Sequence, residues 1–181
     1  MTAQKITDLA ATTSPADADQ LLITEDPAGD PVSKKVALSN ALRLAVGHIS
    51  VTGASASQSL SSATWTKVTQ FTAEYAYDGS TTASHANDKI TLVASGIYAA
   101  DWMCSFTGAT TSEYRLAIYW NSTLQVVPAI ITTTSTNEHC VTVRSLFNAS
   151  SASQDVEAYV YSDGANAFAV KESVLTVQRI A

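Results

Sequence analysis

The segment from Asn87 to Trp102 constrains the fold more than any other stretch of the chain. It reads as a strand, a tight glycine corner and a second, longer strand. Ile90, Leu92 and Ala94 fall on one face of the first run, the period-2 alternation of a half-buried β-strand. Gly96 can take a positive φ that a side chain resists, so the backbone can turn sharply there. A chain organised around such a corner is expected to be β-rich. The expected role is structural or binding rather than catalytic.

The same alternation continues on both sides of the corner. From Thr64 onward it predicts eight or nine strands: Trp65–Val68, Phe71–Tyr77, Lys89–Val93, Ile97–Thr107, Tyr114–Trp120, Leu124–Ile131, His139–Phe147, Asp155–Tyr161 and Val174–Ile180. Asn166–Val170 adds a short candidate. Turn residues separate them at Asp78-Gly79-Ser80, Gly108-Ala109-Thr110, Asn121-Ser122, Asn148-Ala149-Ser150 and Ser162-Asp163-Gly164-Ala165. Many short strands at this spacing imply an all-β sandwich or barrel over residues 64–181. Pro128 has no N–H for a ladder, so it belongs at an edge or a bulge. No solenoid or propeller period is present.

The first 47 residues have a different character. Three of the four prolines, Pro15, Pro27 and Pro31, lie here. Gln20 to Thr24 reads as a short apolar strand, Asp26 to Pro31 as a turn, and Val32 to Leu38 as an alternating return strand, so a hairpin is expected. Ser39 can cap a short helix through Leu42 to Val46, with Gly47 as its stop. Eight helical residues span only about 12 Å and are not stable alone. Residues 1–47 are therefore expected to dock, either on another protein or subunit or back on their own C-terminal domain. Residues 48–63, rich in Ser, Ala and Gly, have the composition of a linker.

Charge and cysteine content narrow the class of function. The net charge is −6. Residues 1–50 carry four basic and six acidic side chains, and residues 51–181 carry six and ten. With no basic patch in either part, neither nucleic acid nor an anionic membrane is an expected partner. Only 14% of residues are charged, whereas Ser and Thr number 45, so hydroxyls and subunit burial are expected to keep the surface soluble. Cys104 and Cys140 both lie in predicted strands among apolar neighbours. Buried free thiols in a reducing compartment are the expectation, with a disulfide open should the two strands be neighbours. Met1 is followed by a polar run, and no apolar run approaches the roughly 20 residues of a membrane span. Synthesis and assembly in a cytoplasm are expected.

Few residues are arranged for chemistry. His48, His85 and His139 are far apart in sequence, and no HExxH or CxxC spacing occurs, so no metal or cofactor is expected. His139 and Cys140 are adjacent on a strand and point to opposite faces. No nucleophile elbow, P-loop or dinucleotide fingerprint is present. Asp155 and Glu157 share a strand face, as a glycosidase pair would, but a solvated outer face is the expected reading. Asn121-Ser122-Thr123 and Asn148-Ala149-Ser150 match the glycosylation sequon and are read as turns. Among aromatic residues, Tyr98, Trp102, Tyr119 and Trp120 are candidates for the sandwich core or a subunit interface. A minority of rings at distal loops could stack on sugars.

Two stretches carry a resemblance. The Asn87-Asp88-Lys89-Ile90 lead-in, the Ser95-Gly96-Ile97-Tyr98 corner and the terminal strand Ser173 to Ile180 resemble the C1q/tumour-necrosis-factor-like jelly roll. That resemblance implies a ten-stranded sandwich that assembles as a homotrimer. Residues Lys5 to Leu9, Ala16 to Ile23 and Ser33 to Leu38 resemble the attachment segment at the start of tailed-phage virion proteins. There is no heptad coiled coil, Gly-X-Y run or β-helix repeat, so a short protrusion is implied rather than a long fibre.

Together the two resemblances imply a phage capsid decoration or cement protein, or a short head fibre, on the virion surface. It would be anchored on the major capsid protein or another virion protein through Leu21, Leu22, Ile23, Val36, Leu38, Leu42 and Leu44. The alternative is a tail-associated receptor-binding knob recognising host surface glycan through the loops Gly108–Glu113, Thr132–Glu138 and Ser162–Asn166.

Overall fold

A computed structural model of the chain describes residues 20–25, 32–37, 46–53, 57–77, 81–124 and 128–180, the first two stretches by their backbone alone. The chain divides into two compact units, Met1–Arg43 and Leu44–Ala181.

In the first unit, β1 (Gln20–Glu25) and β2 (Val32–Ala37) form the expected antiparallel hairpin. Its register sets Leu21 opposite Val36, Leu22 opposite Lys35 and Ile23 opposite Lys34. Leu38, Leu42 and Leu44 lie outside the described residues, as does all but the last residue of the expected Ser39–Val46 helix.

The second unit is a sandwich of two antiparallel sheets. Its strands are β3 (Val46–Val51), β4 (Ser57–Ser59), β5 (Thr64–Lys67), β6 (Ala73–Tyr77), β7 (Thr81–Ser84), β8 (Lys89–Leu92), β9 (Gly96–Gly108), β10 (Glu113–Trp120), β11 (Thr123–Leu124), β12 (Ala129–Thr132), β13 (His139–Ala149), β14 (Gln154–Ser162) and β15 (Ala167–Arg179). One sheet has the order β13-β9-β15-β3-β6, with β4 also on β15. The other has the order β11-β10-β14-β8-β7, with β12 also on β10. We call them the β9 sheet and the β10 sheet. β5 runs along β14, where Ala63 N–H donates to Ser162 O at 2.8 Å and Val68 N–H to Ala158 O at 2.9 Å.

The Gly96 corner carries the chain from the β10 sheet, through β8, into the β9 sheet. Gly96 adopts φ +147°, a backbone that L side chains rarely take. At the lead-in, Asp88 is left-handed at φ +50°, a conformation that aspartate tolerates. Its Oδ1 accepts the Phe71 N–H at 3.3 Å.

Between the sheets, alternate residues of every long strand are buried. β9 contributes Tyr98, Ala100, Trp102, Cys104 and Phe106, and β10 contributes Tyr114, Leu116 and Ile118. In β15 the buried series Phe168 and Val170 changes phase to Ser173, Leu175 and Val177. The change falls at a bulge between Val170 and Glu172, which adds one residue and reverses the side-chain parity. This is why the sequence reads as two strands, Asn166–Val170 and Val174–Ile180, where there is one. The Trp102 indole N–H donates to the buried Ser173 hydroxyl at 2.8 Å.

The stretch expected as a linker, 48–63, holds most of β3 and all of β4. Gly47 does not stop a helix. It is a strand residue facing β7, where a Cβ would come within 2.8 Å of Thr81 Oγ1. Ile49 and Val51 then enter the core. Of the expected strand Leu124–Ile131, Leu124 ends β11 and Ala129–Ile131 lie in β12, Pro128 directly precedes β12, and residues 125–127 lie outside the described residues. β7 was not expected, because Thr-Thr-Ala-Ser offers only Thr81 and Ala83 to the core.

One interaction spans the layers at the Gly108 end. The Tyr114 hydroxyl accepts the Ala109 N–H at 2.9 Å and donates to Ala167 O at 3.0 Å. Tyr114→Phe should leave both backbone groups short of a partner and cost about 1–3 kcal/mol. Tyr159→Phe, on an outer face, should stay within about 0.5 kcal/mol of wild type. Urea unfolding of both variants checks this; equal stabilities would refute the bridging role.

Candidate binding and assembly surfaces

The two outer faces differ in chemistry. On the β9 sheet, outward positions along β9 read Ile97, Ala99, Asp101 and Met103, and along β13 they read Thr142, Arg144, Leu146 and Asn148. Leu146 is 66% exposed and Met103 46%. Ile97, Ile180 and Tyr75 are also exposed. Antiparallel sheets with a wet face ordinarily place polar side chains there. Among these apolar residues sits an Asp101–Arg144 pair, with Nε–Oδ1 at 2.6 Å and Nη2–Oδ2 at 3.4 Å. His48 stacks on Tyr75, ring centroids 5.5 Å apart.

The β10 sheet carries a strip of rings outside. Tyr119 stacks on Tyr159 at 4.0 Å between centroids, and Trp65 from β5 packs on Tyr119 at 5.8 Å and on Tyr161 at 5.7 Å. The Arg115 guanidinium lies 4.9 Å over the Tyr161 ring, an attractive cation–π geometry. Ala117 occupies an outward register position between Arg115 and Tyr119, yet is 0% exposed. We attribute its burial to cover by the neighbouring rings.

Ion pairs flank the strip. Arg115 Nε meets Glu113 Oε1 at 2.6 Å, Lys67 Nζ meets Glu157 Oε1 at 2.5 Å, and Lys89 Nζ meets Asp155 Oδ2 at 2.9 Å. Asp155 and Glu157 do share an outer face, but each is neutralised by its own lysine. Burial works against ionisation of Asp155. The Thr91 hydroxyl, bonded at 2.6 Å, and Lys89 outweigh it, and the carboxyl is held below the ordinary aspartate range.

The four aromatic candidates do not gather in one place. Tyr98 and Trp102 are fully buried in the core, and Trp120 packs at its margin against Phe147 at 5.1 Å. Tyr119 alone belongs to the outer strip. Trp65, Tyr159 and Tyr161 are not among the ring candidates that the sequence offers. The available signal was Asp155, Glu157, Tyr159 and Tyr161 recurring at period 2 on one strand.

The three candidate loops do meet, at the Gly108 end. Thr111 N–H donates to Thr133 O at 2.7 Å, Asp163 N–H to Glu113 O at 3.1 Å, and Asn166 Nδ2 to Ser112 Oγ at 3.0 Å. The chain enters this unit at the opposite end, where Val46 pairs with Gln178 and Gln178 with Ala99.

Cys104 and Cys140 are free thiols. Cys104 is buried and its thiol pKa is pushed up to about 12 by that burial. Cys140 is exposed rather than buried as expected, because it sits on the outer face of β13. Among the described residues, no three His, Cys, Asp or Glu side chains converge as metal ligands.

No protein-family model matches the sequence, and no curated protein does. Solved structures do match. The chain is similar to the Eiger TNF of S. frugiperda at 10% identity, over 76% of this chain and 92% of that one, with a TM-score of 0.51. It is similar to murine APRIL at pH 5.0 at 11% identity, over 76% and 100%, with a TM-score of 0.50. The fold is a TNF-like jelly roll. The vertex protein P5 of PRD1 also matches, at 17% identity over 76% and 97%, with a TM-score of 0.48.

The Asp155 cluster predicts a pH signature. A carboxyl with a depressed folded pKa stabilises the fold above its unfolded value, near 4, and loses that contribution as pH falls through the folded value. Asp155→Asn should therefore unfold at lower urea than wild type at pH 7, with the gap closing toward pH 3. A gap that is constant with pH would refute the assignment.

Proposed function

We propose that this protein is a structural protein of a tailed-phage virion. It is a homotrimeric jelly-roll knob held on the particle surface by residues 1–47, and it serves as a capsid decoration or cement protein or a short head fibre. Its action is mechanical rather than catalytic. The observation that carries this reading is the division of the chain into a hairpin unit and a separate jelly roll. It is supported by the resemblance of the N-terminal segment to phage attachment segments.

Two features of the jelly roll favour this layout. The chain enters the jelly roll at Val46, at the end opposite the knitted loops, so those loops are clear of the point of entry. The apolar outer face of the β9 sheet is the natural self-association surface, since burying Met103, Leu146 and Ile97 removes apolar area from water. Three anchors joined in one trimer raise one another's effective concentration, so weak contacts with the major capsid protein become durable.

Removing residues 1–43 keeps β3 whole. The truncated protein should remain a soluble trimer by sedimentation and lose binding to particles; retained binding would overturn the anchor. Leu146→Lys should convert the trimer to monomer. Copies per virion, counted by quantitative mass spectrometry, separate the two placements: hundreds mean capsid decoration, whereas a handful mean a tail or unique-vertex protein.

A further inference from the structure

The ring strip on the β10 sheet has a use that a mechanical role does not require. We propose that it binds a neutral, pyranose-containing glycan, with Trp65, Tyr119, Tyr159 and Tyr161 as the stacking surface. The inference is independent of where the protein sits on a particle.

Three observations fit that occupant. The rings are fixed in advance by packing on one another, so little conformational freedom is lost when a flat apolar ligand face lies on them. Their polar tips are available: among the described residues, the Trp65 indole N–H and the Tyr119 and Tyr161 hydroxyls have no hydrogen-bond partner. A pyranose presents C–H groups on its faces and hydroxyls at its rim, which matches rings with polar tips. The flanking charges are matched one to one, Arg115 with Glu113, Lys67 with Glu157 and Lys89 with Asp155. A strip without surplus charge does not select an anionic polymer, and its paired groups still offer fixed donors and acceptors to hydroxyls.

The full-length protein is tested on an array carrying neutral oligosaccharides alongside sialylated and uronate-bearing ones. Binding to neutral glycans is expected. The best neutral glycan is then titrated against 15N-tryptophan-labelled protein, and the Trp65 indole resonance should move while that of buried Trp102 stays. Trp65→Ala should weaken binding about tenfold. Tyr161→Phe, which keeps the ring and the fold, should weaken it severalfold. No neutral glycan bound, preference for the acidic set, or unchanged affinity in both variants would each overturn the proposal. A change of oligomeric state in Trp65→Ala with glycan binding intact would overturn it too, and make the strip a self-interface.

Discussion

The two layers of this jelly roll depend on Tyr114 at the Gly108 end. Its ring sits 5.2 Å from Phe106 and 6.2 Å from Phe168, one residue from each of two central strands of the opposite sheet. Its hydroxyl then closes on the backbone of both strand ends. Burial is the largest influence on the phenol and raises its pKa, so the hydroxyl stays protonated and able to donate. The approach is so close that a Cβ on Gly108 would lie 2.5 Å from the Tyr114 oxygen. The loop cluster inherits this rigidity, since the Thr133 hydroxyl also donates to Ala109 O.

At mid-sheet a different constraint operates. β9 keeps one parity over 13 residues, whereas β15, of equal length, changes parity at the bulge beside Lys171. That change puts the Ser173 hydroxyl inside, which would be costly in an apolar core without a partner. Trp102 supplies one, and the largest side chain of the core is thereby held by its only polar atom. The bulge and the indole are coupled features, and each makes the other tolerable.

This coupling explains what could be read in the sequence. Strands with uninterrupted alternation, such as β9, β10 and β14, were legible, and so was the Gly96 corner, because a glycine between two alternating runs has few other uses. β15 was cut in two because a bulge erases alternation without leaving a turn residue. β3 was hidden because Gly47 reads as a helix stop, and only the proximity of Thr81 reveals it as a packing residue. The ring strip was half legible: Tyr159 and Tyr161 share a parity that sequence displays, but Trp65 reaches them from a strand about a hundred positions earlier, and no periodicity reports that.

The outer faces argue against a single partner covering both. The β9 sheet exposes flexible aliphatic and thioether side chains, Leu146 and Met103, around one exposed ion pair. Such a surface gains mainly from being buried against another apolar surface. The β10 sheet carries stiff, half-buried rings that are already packed, flanked by charges already paired. Covering it with an aliphatic protein face would strand the flanking ion pairs away from water, which costs more than an exposed pair returns. A ligand rich in hydroxyls avoids that cost because it replaces the water it displaces. Under the two proposals, the fold divides its labour by sheet, with assembly on the aliphatic face and recognition on the aromatic one.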